Sequence, residues 1–139
     1  MKILILNGAN LNLLGTREPD IYGSTSMDDV LTYLKSEYSQ HAIEYFQSNF
    51  EGEIIGKIQE NDFDALVINP GAFTHYSYAI ADALKNLKKP KIEVHISNIY
   101  QREEFRQKSV TAAYTDAVLS GFGTEGYRLA IIHLISIVK

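Results

Sequence analysis

Residues 3–23 read ILILNGANLNLLGTREPDIYG. The apolar run Ile3 to Leu6 stops at Asn7-Gly8. A short continuous apolar run closed by a turn signal marks a strand buried on both faces, as in a parallel sheet. A polar loop follows, carrying Asn10, Asn12, Arg17 and Tyr22 before any helix begins. Loops of this length inside a small domain are uncommon and usually functional, as lids are. An arginine and a tyrosine on such a loop suggest a phenol whose proton can be removed near neutral pH.

Outward from this strand, strand and helix alternate five times. Ser26 with Asp29 three residues on forms a capping signal, and Met27, Val30, Leu31, Leu34 and Tyr38 fall on one helical face. Residues 43–47 read as strand two, 51–61 as a helix presenting Ile54, Ile55 and Ile58, and 65–69 (ALVIN) as strand three, stopped by Pro70-Gly71. Ile80, Ala83, Leu84 and Leu87 mark the next helix, closed by Pro90. Residues 91–96 give strand four, 102–108 a short helix, 117–119 strand five and 125–139 a final helix. Strict alternation implies a parallel sheet with helices on both faces and right-handed crossovers. The expected architecture is an α/β three-layer sandwich, flavodoxin-like, with five strands in the order 2-1-3-4-5. No linker or repeat interrupts residues 1–139, so one domain is expected. The final helix is apolar nearly all round (Leu129 to Val138), which requires cover on every side and favours a subunit contact.

Composition narrows the function classes. The chain has 139 residues, 45% hydrophobic and 22% charged, as in ordinary globular proteins. A net charge of -4 offers no basic footprint for nucleic acid. The absence of cysteine excludes disulfides, thiolate metal sites and a cysteine nucleophile, and suits a reducing cytoplasm. The four apolar residues near the N-terminus are too few for a signal-peptide core. The stretch from Leu129 to Val138 is too short to span a bilayer.

In an open α/β sheet, ligands bind beyond the carboxyl ends of the strands, where strand order reverses. Asn7 and the Asn10–Tyr22 loop follow strand one; Asn69, Gly71 and His75 follow strand three; His95, Ser97 and Asn98 follow strand four. The proposed order makes these strands neighbours, so three polar clusters meet in one crevice. Glu93 and His95, two apart on a strand, point the same way. A carboxylate steering an imidazole there suits a general acid or base, or else a structural pair that fixes a loop. His75 reads equally as a capping residue or a ligand contact. Ser97 and the backbone before Arg102 suit a carboxylate or phosphate, and Arg102 and Arg106, i,i+4 on a short helix, repel until an anion or Glu103 and Glu104 relieve them. Tyr22 with an ordinary pKa near 10 costs about 4 kcal/mol to ionise at pH 7, and a neighbouring Arg17 lowers that cost. His41 and His133 read as structural. No histidine pair has metal-ligand spacing, so no metal is expected.

GFGTEG at 121–126 formally matches GxGxxG, but no βαβ unit with an acidic residue follows it, so glycines packing a helix onto the sheet are the better reading. The rival from another class is a non-catalytic flavodoxin-like module that binds FMN or a nucleotide, or acts as a signalling receiver. Strand one lacks the Ser/Thr-rich phosphate loop such a flavin site uses, and asparagines stand where a receiver has acids.

NGANLNLLGTREPDIYG, NPGAFTHYS, IEVHISN with REEFR, and GFGTEGY resemble, in family order and over essentially the whole chain, the type II 3-dehydroquinate dehydratases. The resemblance implies a flavodoxin-like fold, trimers that build a dodecamer, and no metal or organic cofactor. It implies reversible dehydration of 3-dehydroquinate to 3-dehydroshikimate, a shikimate-pathway step. On matching positions it implies that Tyr22 accepts the C2 proton, Arg17 activates it, and Asn10 helps hold the enolate through a water. His95 would donate a proton to the leaving hydroxyl, oriented by Glu93. Asn69, His75, Ile96, Ser97 and Arg106 would bind substrate, and Asp82 would reach a neighbouring subunit's site. Ala9, Tyr76 and Ala81 depart from the usual proline, Thr/Ser and basic residue.

Overall fold

The apolar run of the first strand sends successive side chains to opposite sides, and both sides are filled. Ile3 and Ile5 enter one hydrophobic core while Leu4 and Leu6 enter another. The computed structural model describes residues 1–16, 20 and 25–138. Strands β1 (Lys2–Asn7), β2 (Ala42–Gln47), β3 (Ala65–Asn69), β4 (Lys91–His95) and β5 (Ala117–Ser120) form one sheet, parallel throughout, in the order β2-β1-β3-β4-β5. This is the expected topology. In the β1–β3 register Asn7 lies opposite Asn69, so two asparagines end neighbouring strands at the same level.

Helices α1 (Met27–Glu37) and α4 (Glu125–Ile137) cover the first core, and α2 (Glu51–Glu60) and α3 (Tyr78–Asn86) cover the second. The α1 start is a full capping box: Ser26 accepts from the Asp29 N–H at 3.1 Å and Asp29 accepts from the Ser26 N–H at 3.3 Å. Asn61, in the left-handed region at φ 55°, ends α2. Helix α4 buries Tyr127, Ala130, Ile131 and Leu134 at helical spacing, while Ile132 and Ile137 stay exposed. Within one chain, then, only one face of this helix is covered. No helix among the described residues is long and apolar enough to cross a membrane.

One element differs from expectation. The helix expected over 102–108 is replaced by two 3-10 turns, Ile99–Gln101 and Glu104–Arg106. Arg102 between them is extended, at φ -96° and ψ -177°, which breaks any helical run. Arg102 and Arg106 are therefore not stacked on a helix face. Arg106 is instead relieved by an ion pair with Glu103 at 2.7 Å.

Candidate active site

The loops that leave β1 and β3 touch backbone to backbone. A Cβ on Gly8 would collide with the Pro70 carbonyl, and one on Gly71 (φ +64°) would stand 2.8 Å from the Ala9 carbonyl. Only glycine permits this approach. Above it opens a solvent-connected crevice lined by Ala9, Asn10, Leu11, Asn69, Gly71, Ala72, His75, His95, Ile96, Ser97, Ile99, Arg102 and Arg106. Of the expected site residues, Asn10, Asn69, His75, His95, Ile96, Ser97 and Arg106 are brought together here. Glu93 stands directly behind His95. Asp82 is on the exposed side of α3 and does not line the crevice. Arg17 and Tyr22 lie outside the described residues.

The buried pair is the chemical centre. His95 Nε2 lies 2.7 Å from Glu93 Oε2, with Glu93 fully buried and His95 nearly so. A carboxylate can only accept, so Nε2 carries the proton and Nδ1 is the nitrogen left for the crevice. Burial pushes the Glu93 carboxyl upward, but hydrogen bonds and charge from His95, with hydroxyl donors Thr111 and Ser109, hold it below the usual carboxylate value. Glu93 is thus an anion at neutral pH.

Around this pair the rim is electropositive. Arg102 donates to Ser97 Oγ at 3.2 Å, and the Arg106 guanidinium packs over the Phe105 ring at 4.8 Å. His75 Nδ1 donates to the Lys108 carbonyl at 2.6 Å. Burial, against that hydrogen bond and with the nearby positive charges of His95, Arg106 and Arg102, holds His75 below the ordinary histidine value. His75 is therefore neutral at pH 7 and offers Nε2 as an acceptor. Asn10 holds a left-handed backbone (φ 68°), and its N–H donates to Asn49 Oδ1 at 2.9 Å. A non-glycine residue in that region at a crevice rim is a feature of functional sites. A neutral acceptor, arginines, a hydroxyl and a carboxylate-backed imidazole together suit a hydroxylated acid that undergoes proton transfer.

Two supporting networks join residues that the sequence did not connect. Asn69 Nδ2 donates to Tyr127 Oη at 3.0 Å, Tyr127 donates to Asn7 Oδ1 at 2.8 Å, and Asn7 Nδ2 reaches Tyr45 Oη at 3.4 Å. With Gly71 N–H on Asn69 Oδ1 at 3.1 Å, the amide is fixed from two sides and keeps one N–H hydrogen for a ligand. The second group, Thr74, Ser109 and Thr111, surrounds Glu93. The GFGTEG segment is structural: Gly121 and Gly123 take positive φ, and a Cβ on Gly126 would press on Val94 Cγ1 at 3.0 Å. Helix α4 can thus lie close on the sheet, as expected. His41 binds the N-terminal amine through Nδ1 at 3.2 Å, and His133 is exposed on α4, far from any such role.

A family model described as dehydroquinase class II matches residues 1–135. The chain belongs to the class II dehydroquinases. Among similar members, the 3-dehydroquinate dehydratase of Thermotoga neapolitana is 56% identical over 133 residues, covering 94% of this chain and 92% of that protein. That of Thermotoga maritima is 53% identical over 136 residues, covering 96% and 94%. Crystal structures of two type II dehydroquinases superpose closely. The one from Propionibacterium acnes has TM-score 0.92 at 46% identity, covering 97% of this chain and 96% of that one. The one from Butyrivibrio crossotus has TM-score 0.91 at 50% identity, covering 97% of each. A class II dehydroquinase rather than an FMN or receiver module is therefore the family in which the Glu93–His95 crevice is to be read.

Proposed function

We infer that this chain is a hydro-lyase that dehydrates 3-dehydroquinate reversibly to 3-dehydroshikimate, through an enolate, in the crevice around His95. The observation that carries the mechanism is the buried Glu93–His95 pair, which presents a protonatable imidazole to an electropositive cleft. An elimination next to a ketone needs a base at C2, a stabiliser of the enolate charge and a separate acid for the leaving hydroxyl.

In this reading Tyr22, as phenolate, takes the C2 proton, and the Arg17 cation lowers the cost of ionising it. Asn10 holds the enolate oxygen through a water. His95 gives its Nδ1 proton to the hydroxyl, which leaves as water, and Glu93 keeps the opposite nitrogen protonated and the ring in place. Ser97 and the Ile96 backbone receive the substrate carboxylate, while Asn69, His75 and Arg106 hold its hydroxyls. Asp82, on the outer side of α3, serves the site of a neighbouring subunit. That role agrees with its exposure. A single-domain protomer assembling through trimers into a cytoplasmic dodecamer completes the proposal.

Two variants separate the roles. Tyr22→Phe should lose both dehydration and solvent exchange at C2, whereas His95→Ala should lose dehydration and keep exchange. Wild-type turnover by Tyr22→Phe removes the assigned base. Exchange lost with elimination intact in His95→Ala reverses the two assignments.

A further inference from the structure

A fully buried carboxylate must have its oxygens satisfied inside the protein. Behind Glu93 stand three hydroxyls from two segments distant in the chain. Ser109 Oγ donates to Oε2 at 2.8 Å, and Thr111 Oγ1 donates to Oε1. Thr74 Oγ1 lies 3.3 Å from Oε2 but 2.7 Å from each of the other two hydroxyls, so its proton goes to one of them. Ser109 Oγ also accepts the Ala112 N–H at 3.0 Å, which turns its own proton toward the carboxylate. The Val110 N–H donates to the Thr74 carbonyl at 2.7 Å and clamps the two segments together. None of the three residues lines the crevice.

The choice of donor has a consequence for the imidazole. A lysine or arginine behind Glu93 would neutralise it and compete with the imidazolium for its charge. Neutral hydroxyls fill the lone pairs and fix the rotamer, yet leave the full negative charge facing His95. We propose that Thr74, Ser109 and Thr111 are positioning residues that hold Glu93 as an oriented anion, so that the doubly protonated His95 ring keeps its Nε2 proton on Glu93 and delivers the second proton from Nδ1. This rests on the reading of His95 as the proton donor.

The test compares Thr111→Val, Ser109→Ala and the conservative Thr111→Ser in the full protein, each assayed for dehydration of 3-dehydroquinate and for deuterium uptake at C2. Thr111→Val should cut kcat for dehydration by less than Glu93→Gln does, within the roughly 10–100-fold that loss of a histidine's outer partner costs at metal sites. KM and C2 exchange should stay near wild type, with Ser109→Ala following in the same direction and Thr111→Ser restoring most of the rate. A downfield proton resonance from His95 Nε2–H, assigned by its loss in His95→Ala, should persist in Thr111→Ser and shift or vanish in Thr111→Val. Unchanged dehydration in Thr111→Val and Ser109→Ala overturns the proposal, as does a parallel fall in exchange and dehydration. If Thr111→Val does not fold, the resonance and rates of Ser109→Ala decide. His95→Ala run alongside keeps the two levels apart, since wild-type dehydration there would sink the reading of His95 itself.

Discussion

Tyr127→Phe removes one oxygen from the centre of the protein and leaves the ring volume in place. Two partners then lose their bonds: Asn7 Oδ1, in a fully buried residue, and Asn69 Nδ2, in a residue 3% exposed. A buried polar group left unpaired costs roughly 1–3 kcal/mol, so the pair should cost about 2–6 kcal/mol. For a chain of this length the unfolding entropy is on the order of 0.3 kcal/mol/K, which converts that loss to about 7–20 °C in Tm at matched protein concentration. The same substitution has an alkaline signature. Burial, reinforced by the nearby Tyr45 phenol and only partly offset by the Asn69 and Asn7 hydrogen bonds, pushes the Tyr127 hydroxyl far above the ordinary tyrosine range. The folded state keeps this proton when the unfolded chain, titrating near pH 10, has lost it. Stability from this group is therefore full below about pH 10 and declines above it, by about 1.4 kcal/mol at pH 11. Phenylalanine cannot show that decline, so the gap between wild type and variant should narrow by this amount between pH 9 and 11. Denaturant or thermal melts across that range check both effects. A Tm loss under about 2 °C, or a gap that does not change with pH, refutes the network's assigned role.

Other substitutions test other parts of the account. Glu93→Gln should lower kcat for dehydration about 10–100-fold while leaving C2 exchange. It should also flatten acid unfolding. The Glu93 carboxyl is held low by His95 and the hydroxyls against the effect of burial, so its contribution is present above about pH 4.5 and is lost as pH falls through its folded value. Ser26→Ala breaks the α1 capping box and should cost about 1 kcal/mol by chemical denaturation, without affecting kcat. Gly56→Ala, on the exposed side of α2 with open space around the added Cβ, should stabilise by about 0.5–1 kcal/mol in the same melts. Gly8→Ala, by contrast, must push the Pro70 carbonyl away and should cost stability and substrate affinity together; an unchanged KM would show that the crevice floor is not held by that contact.

The sheet was legible because β1 and β3 are apolar on both faces, and their runs end where polar loops begin. The crevice followed from topology: residues after strands one, three and four had to converge once the strand order was known. The Glu93–His95 pairing followed from the two-residue period of a strand. What escaped was whatever depended on side chains meeting across long separations. Tyr127 sits in an apolar helix with its partners at the ends of β1 and β3, and no local pattern marks it. Ser109 and Thr111 lie in an irregular segment with no periodicity to read. The expected 102–108 helix failed because helical spacing of charges says nothing about an extended residue such as Arg102. Asn69 lines the crevice as expected, yet most of its amide is committed inward, a division of labour that no sequence motif encodes.

The most direct measurement adds 3-dehydroquinate to the purified protein and follows the ultraviolet absorbance of a conjugated enone, with and without a chelator. The account predicts a rise that is unaffected by the chelator, is abolished by His95→Ala, and runs in reverse from 3-dehydroshikimate. No absorbance change from the folded wild-type protein, or an undiminished rise from His95→Ala, would contradict it.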